Sequence, residues 1–251
     1  MKLVECVPNI SEGRDRSVID AVVGSIRSIP GISVLDVDPG FDTNRTVITF
    51  VGDPDSVLEG AFACIRSSQE LIDMSKHKGA HPRQGCTDVC PFIPIAGITM
   101  EECAVMAKSL GDRVAKQLGI PVYLYGYAAS NSERKDLAYV RKGEYESLSE
   151  KLGSLKPDFG PTKYNEIVRR SGAVQVSARD FLIAYNVNLN TRDKGIASNI
   201  ALNIREAGRA KRDDMGEILR DASGKAINIP GLLKEVKAIG WNVDGLTGSN
   251  P

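Results

Sequence analysis

Apolar and polar residues alternate along LVECVPNI (3–10), the period of a half-buried strand. The stretch SVIDAVVGSIRSI (17–29) repeats its apolar residues at helical spacing instead, and Ser11 or Asp15 just before it supplies a cap. PGISVLDVDPG (30–40) reads as a second strand punctuated by Pro30 and Gly40. TNRTVITFVG (43–52) reads as a third, joined to it by a short loop holding Asp42 and Asn44. DPDSVLEGAFACIRSSQELIDM (53–74) opens on Asp53 and Asp55 and places apolar residues at 57, 58, 61, 62, 65, 71 and 72, an amphipathic helix. After a polar segment, DVCPFIPIAG (88–97) returns to an apolar strand.

The order strand, helix, strand, strand, helix, strand predicts an α+β, ferredoxin-like (βαββαβ) unit with two helices on one face of an antiparallel sheet. MEECAVMAKSLGDRVAKQLG (100–119) and IPVYLYGYA (120–128) add a long helix and another strand. Residues 128–170 are polar and rich in Gly and Pro, hence connecting loops with short helices and a candidate binding segment. A second unit begins near GAVQVSARDFLIAYNVNLN, two β-rich runs turned by SARD. A helix with Asp193 near its cap and a strand at KEVKAIGWNVD follow. We set the division at residues 1–177 and 178–251. Three strands and one helix are a thin core, so the second unit is expected to lean on the first or to be incomplete.

Composition narrows the function classes. Of 251 residues, 42% are apolar and 25% charged, and 32 basic residues balance 32 acidic ones, so no net charge points to nucleic acid. No apolar run approaches the roughly 20 residues of a membrane helix, and MKLVECVPNISEG reads as strand and loop, not as a cleavable signal; a cytoplasmic location is the default expectation. Five scattered cysteines without a paired CxxC argue against a disulfide framework or structural zinc.

SKHKGAHPRQGCTDVCPF (75–92) holds both histidines, His77 and His81. Their spacing would suit a metal on a helix face, but Lys76, Lys78 and Arg83 would repel the cation and Pro82 opposes a helix, so no metal is expected. Cys86 or Cys90 with His81 as base is a second reading, set against buried structural thiols. A third is acid–base catalysis by one histidine whose pKa the neighbouring cations depress. Two surface loop histidines remain the plain alternative.

DVDPGFDTNRT (36–46) gathers Asp36, Asp38 and Asp42 with Asn44 and Arg45, either a hydrogen-bonding site for polar substrate groups or simply a turn. PNISEG (8–13) is a strand-to-helix turn whose amides could meet an anion. DFGPTKYNEIVRRSGAVQVSAR (158–179) joins the two units, where ligand sites are common, although Arg169 and Arg170 equally suit a solvated surface.

Together VECVPNISEG, DVDPGFDTNRTVITFVG, HKGAHPRQGCTDVCPFIPIAG, PVYLYGYAA, PDFGP, FLIAYNVNL, ALNIREAGR and KAIGWNVD resemble, in order along nearly the whole chain, the glutamate formimidoyltransferase family. The resemblance implies transfer of a formimino group from N-formimino-L-glutamate to N5 of the co-substrate tetrahydrofolate, in histidine degradation. It also implies two similar α/β subdomains with folate between them, and a homodimer. It selects His81 as the catalytic histidine, with Asp38 assisting. Asn44, Arg45, Lys78, Arg83 and Arg209 are implied on the substrate side, and Gly160, Pro161, Arg170 and Gly172 in the folate segment. TKYNEIVRRS departs from that segment's usual text, and Ala80 replaces the glutamate common before the catalytic histidine. The family's second subdomain runs further than Pro251, so the sequence is expected to be either a fragment or a shortened form whose sheet is completed by pairing between subunits, and a separate cyclodeaminase is expected. An inactive folate-binding relative, or one that transfers formyl groups from N-formylglutamate or 5-formyltetrahydrofolate, are the alternatives.

Overall fold

The computed structural model describes residues 2–183 and 185–240. The chain divides into two compact units, one reaching Ile183 and one following it.

The first unit begins with β1 (Leu3–Cys6) and β2 (Asn9–Ile10), one line of strand interrupted at Val7 and Pro8, where proline has no N–H to give to a ladder. Both pieces pair antiparallel with β4 (Arg45–Gly52) on one side and β5 (Thr87–Ala96) on the other, and β3 (Ser33–Gly40) pairs with β4 at the edge. The spatial order β3, β4, β1/β2, β5 is that of the ferredoxin-like unit the alternation predicts. Helices α1 (Arg16–Arg27), α2 (Pro54–Leu71) and α3 (Met100–Leu118) start where the capping chemistry puts them. Asp15 and Asp53 accept from the first-turn amides of α1 and α2, and Thr99 with Glu102 closes a capping box on α3. Their apolar stripes, including Ile19, Val22, Ile26, Val57, Ala61, Ile65, Leu110 and Val114, bury Ile48, Phe50, Cys90 and Phe92 beneath them.

β6 (Val122–Gly126) and β7 (Val174–Ala178) extend the sheet, with β7 parallel to both β5 and β6 and lying between them. The run Val174–Ala178, which straddles the division expected at residue 177, is therefore an inner strand of the first unit. It is buried along its whole length, as a strand covered on both faces must be. Its outer cover comes from residues 130–171, through α4 (Leu137–Arg141), α5 (Leu148–Ser154) and α6 (Glu166–Ser171), which pack Val140, Leu148, Leu152 and Val168 on Tyr123 and Tyr125. The β3–β4–β1/β2 half keeps Val47, Thr49 and Val51 only partly buried on that face.

The second unit holds α7 (Lys194–Ile204), capped by Asp193 as expected, and a short ribbon of β8 (Arg209–Ala210) with β9 (Asn228–Ile229). The strand expected at FLIAYNVNLN does not form among its described residues. Phe181, Leu182, Ile183, Tyr185 and Val187 are exposed, and a β-rich run without a strand beside it has no ladder to complete. Lys234–Gly240 of the strand expected at KEVKAIGWNVD are likewise irregular; its remainder lies outside the described residues.

Candidate active site

Three loops meet around the histidine segment. The turn between β3 and β4 ends at Asn44, whose backbone is left-handed (φ 46°), a conformation asparagine tolerates better than most residues. The Asn44 side chain fastens the turn on two sides. Its Oδ1 accepts from Gly13 N at 3.0 Å, and its Nδ2 donates to Lys78 O at 3.1 Å. Ala80 N donates to Asp42 O at 3.1 Å, and His77 Nε2 lies 2.8 Å from Asn44 O. The 42–45 turn and the 77–81 loop are thus zipped together.

His77 belongs to that fastening. Arg83 Nε donates to its Nδ1 at 3.2 Å, so the proton of the neutral ring sits on Nε2 and is given to Asn44 O. Burial, and then the charge of Arg83, hold its pKa below the ordinary value. Arg83 is buried and also donates to Glu144 and Glu146, tying in the third loop.

His81 is half-buried at the end of the zipped loop. Its Nδ1 lies 2.7 Å from Pro82 O, which fixes the Nδ1–H tautomer and leaves the basic lone pair on Nε2. Burial and the nearby guanidiniums of Arg45 and Arg141 push its pKa down to about 4, so the ring is neutral at pH 7.

Arg45 opens β4 and is buried, donating through Nε to Asn9 Oδ1 at 3.1 Å and through NH1 to Asp88 Oδ2 at 2.6 Å. Asp88 reaches this face because the pairing of β2 with β5 slips between Asn9 and Ile10, a bulge that lets Val89 oppose Asn9 and Thr87 oppose Ile10 with Asp88 between. Arg141, at the end of α4, joins the same carboxylate at 2.7 Å. The sequence reading passed over Asp88 and Arg141. A lone carboxylate within the apolar TDVCPFIPI was a usable signal, since such a group is buried only with partners. Nothing local marks Arg141.

Asp38 is exposed on β3, in the sheet row Asp38, Val47, Asn9, Val89. Two strand spacings put it about 10 Å from Asn9. Lys78 is exposed and offers its carbonyl to Asn44. Gly172 (φ 68°) lies against Gln84 O, where a Cβ would come within 2.1 Å, and Gly160 (φ 91°) lies against Ile120 O. Pro161 follows at the half-buried surface, and exposed Arg170 accepts Met74 N through its carbonyl at 2.8 Å. Arg209 lies in the second unit, where its guanidinium donates to Asn199 and Asn203.

The cysteine reading finds no support. Cys86 is buried, donates to Ile72 O at 3.2 Å, and burial pushes its thiol pKa up; Cys90 is buried with its sulfur 3.7 Å from that of Cys6. Among the described residues no group of three or more His, Cys, Asp and Glu could hold a metal ion, and no helix is long and apolar enough to cross a membrane.

Comparison with known proteins fits this arrangement. The N-terminal subdomain of the formiminotransferase domain matches residues 3–179, and the formiminotransferase domain matches residues 184–249. The formimidoyltransferase-cyclodeaminase of Dictyostelium discoideum is 50% identical over 245 residues, 97% of this chain and 42% of that protein. The glutamate formimidoyltransferase of Thermoplasma acidophilum is 50% identical over 195 residues, and that of Streptococcus pyogenes 46% over 192, each match covering 76% of this chain and 63% of the relative. The chain thus spans about two fifths of the bifunctional relative's length and under two thirds of the shorter ones. With both domain matches laid end to end along it, the chain belongs to the formiminotransferase family.

Proposed function

We propose that the chain transfers the formimino group of N-formimino-L-glutamate to N5 of tetrahydrofolate, giving 5-formimidoyltetrahydrofolate and L-glutamate. The observation that carries this reading is His81, a neutral imidazole with its lone pair on Nε2, held by a zipped loop in a member of this family. Formimino transfer moves one proton from the attacking nitrogen to the departing one. As N5 bonds to the formimino carbon, His81 Nε2 takes the N5 proton; as the bond from that carbon to the glutamate nitrogen breaks, the imidazolium returns it there. Burial beside Arg45 and Arg141 makes the imidazolium more acidic than an ordinary one, which favours the return.

Tetrahydrofolate enters as the second substrate. The half-buried Val47, Thr49 and Val51, with Asn9 opposite Val47, offer a flat, partly apolar surface with a polar edge, which fits a pterin. Asp38 stands on the same face to assist, and Gly160, Pro161, Arg170 and Gly172 remain the folate-side residues of this reading. On the substrate side Arg45 has the most direct geometry. Asn44 and Arg83 act by holding the loops, and Lys78 and Arg209 are supported by the family resemblance alone. A homodimer rests on the same resemblance. Five free, buried cysteines suit a reducing compartment, and we place the activity in the cytoplasm.

The full chain incubated with tetrahydrofolate and either N-formimino-L-glutamate or N-formyl-L-glutamate tests the proposal. Turnover with the formimino donor is expected to exceed that with the formyl donor. Faster formyl transfer would make it a formyltransferase, and folate binding without turnover would make it an inactive relative.

A further inference from the structure

Asp88 is a fully buried carboxylate that serves two guanidiniums through one oxygen, Arg45 NH1 at 2.6 Å and Arg141 NH1 at 2.7 Å. Its other oxygen accepts Gln84 N at 2.8 Å. Among the ion pairs of the described residues, Asp88 is the acidic partner of both arginines, whose side chains are 8% and 16% exposed. Two cations against one anion leave a net positive charge where little water reaches it, and such a charge is costly until an anion joins it. Each guanidinium presents five N–H donors in a planar fork. Arg45 directs Nε to Asn9 and NH1 to Asp88, and Arg141 directs NH1 to Asp88, which leaves further donors on both for a ligand.

We propose that Arg45 and Arg141, spaced by Asp88, form the carboxylate anchor of the site, and that Arg141 selects a donor bearing an α-carboxylate. The inference rests on the formimino-transfer reading and adds to it the residue that recognises the amino-acid half of the donor. Arg45 follows Asn44, which is fastened to the loop ending at His81, and Asp88 accepts Gln84 N three residues beyond that histidine, so the anchored group lies against the His81 loop. In an N-formimino dicarboxylic amino acid, the α-carboxylate is one carbon from the reacting nitrogen and the side-chain carboxylate three. The near one therefore fits. Asp88 is a positioning residue, since it sets the separation of the two forks without reaching the substrate.

The test compares the wild type with Arg141→Gln and Arg141→Lys on two donors, N-formimino-L-glutamate and N-formimino-γ-aminobutyrate, which lacks the α-carboxylate. Arg45 remains to pair Asp88 in both variants. Arg141→Gln is expected to raise the KM for formiminoglutamate by about tenfold or more, leave the KM for tetrahydrofolate within about twofold, and change the γ-aminobutyrate donor little. Arg141→Lys is expected to recover part of the loss, because it restores charge without the fork. Arg113→Gln, whose guanidinium pairs with Glu59 on the helical side, is the control and is expected to leave both donors unchanged. An unchanged KM for formiminoglutamate, or equal losses with both donors, would overturn the anchor. If the wild type itself transfers nothing, the reaction assigned above fails, and calorimetry with L-glutamate then decides the anchor separately. Binding by the wild type that Arg141→Gln loses supports it. Equal binding by both, or none by the wild type, overturns it.

Discussion

Arg83 Nε donates to His77 Nδ1 at 3.2 Å, while the other ring nitrogen of His77 meets Asn44 O at 2.8 Å. One histidine of the segment is thereby a cross-brace between two loops, and four residues on, the other is the proposed base. His77→Ala leaves Arg83 Nε and Asn44 O each short of a partner, and a stability loss of about 1–3 kcal/mol is expected in urea denaturation. Its kcat is expected to fall much less than that of His81→Ala. A kcat loss in His77→Ala as large as that in His81→Ala would give His77 a chemical role.

The pH dependence has a definite sign. His81 is held down to about 4 in the folded chain, against about 6.5 when unfolded. The free enzyme is expected to keep its kcat/KM as pH falls through 6 and to lose it only as pH falls through about 4. Between about 6.5 and the folded value the unfolded chain binds a proton that the folded chain refuses, so stability falls as pH falls through that window. His81→Gln should flatten that part of a Tm-against-pH curve. An acid limb near 6.5 would place His81 in water and not beside two guanidiniums.

Ala80 is exposed next to His81. Ala80→Glu adds a carboxylate that favours the imidazolium, so the acid limb of kcat/KM is expected to move to higher pH, less so at high salt. A limb that stays in place at low ionic strength contradicts the proximity on which this rests.

Asp88→Asn keeps the shape of the side chain and removes the charge that Arg45 and Arg141 share. Breaking a buried pair from one side costs about 3–5 kcal/mol. Arg141→Gln leaves the Arg45 pair intact and is expected to cost clearly less. Equal losses in urea denaturation would show that the two arginines do not share one carboxylate.

Gly172 has φ 68°, and a Cβ there would sit 2.1 Å from Gln84 O. Gly172→Ala is expected to lose about 1–3 kcal/mol of stability through backbone strain. As a member of the folate-side segment it should also weaken tetrahydrofolate binding, measured on the folded fraction at low temperature, but only in proportion to the backbone shift. A large loss of affinity at unchanged stability would make this glycine a folate contact in its own right.

Most of the first unit was legible because its signals are local. Asp15 and Asp53 mark helix starts, and the alternation in residues 45–52 tells inside from outside without reference to other segments. The place of β7 between β5 and β6 was not legible, because both partners lie far before it in the chain and a short buried run does not say which sheet it enters. The exposed run around Phe181 and Tyr185 has the composition of a strand, but composition cannot supply a neighbouring strand. At the site, the reading named His81, Asn44 and Arg45 but not the buried carboxylate that pairs with Arg45. The ion pair from Asp88 to Arg141 spans 53 positions and depends on a one-residue slip of register at Asn9.

The most direct measurement is single-turnover transfer from N-formimino-L-glutamate to tetrahydrofolate by the full chain, at pH 7, with wild type, His81→Ala and His77→Ala compared at equal folded concentration. Transfer by the wild type, a loss of about 10²–10⁴ in the rate of His81→Ala and a far smaller loss in His77→Ala are expected. No transfer by the wild type, or a His81→Ala rate equal to it, would contradict the assignment of His81 as the proton-transferring base of a formimidoyl transfer.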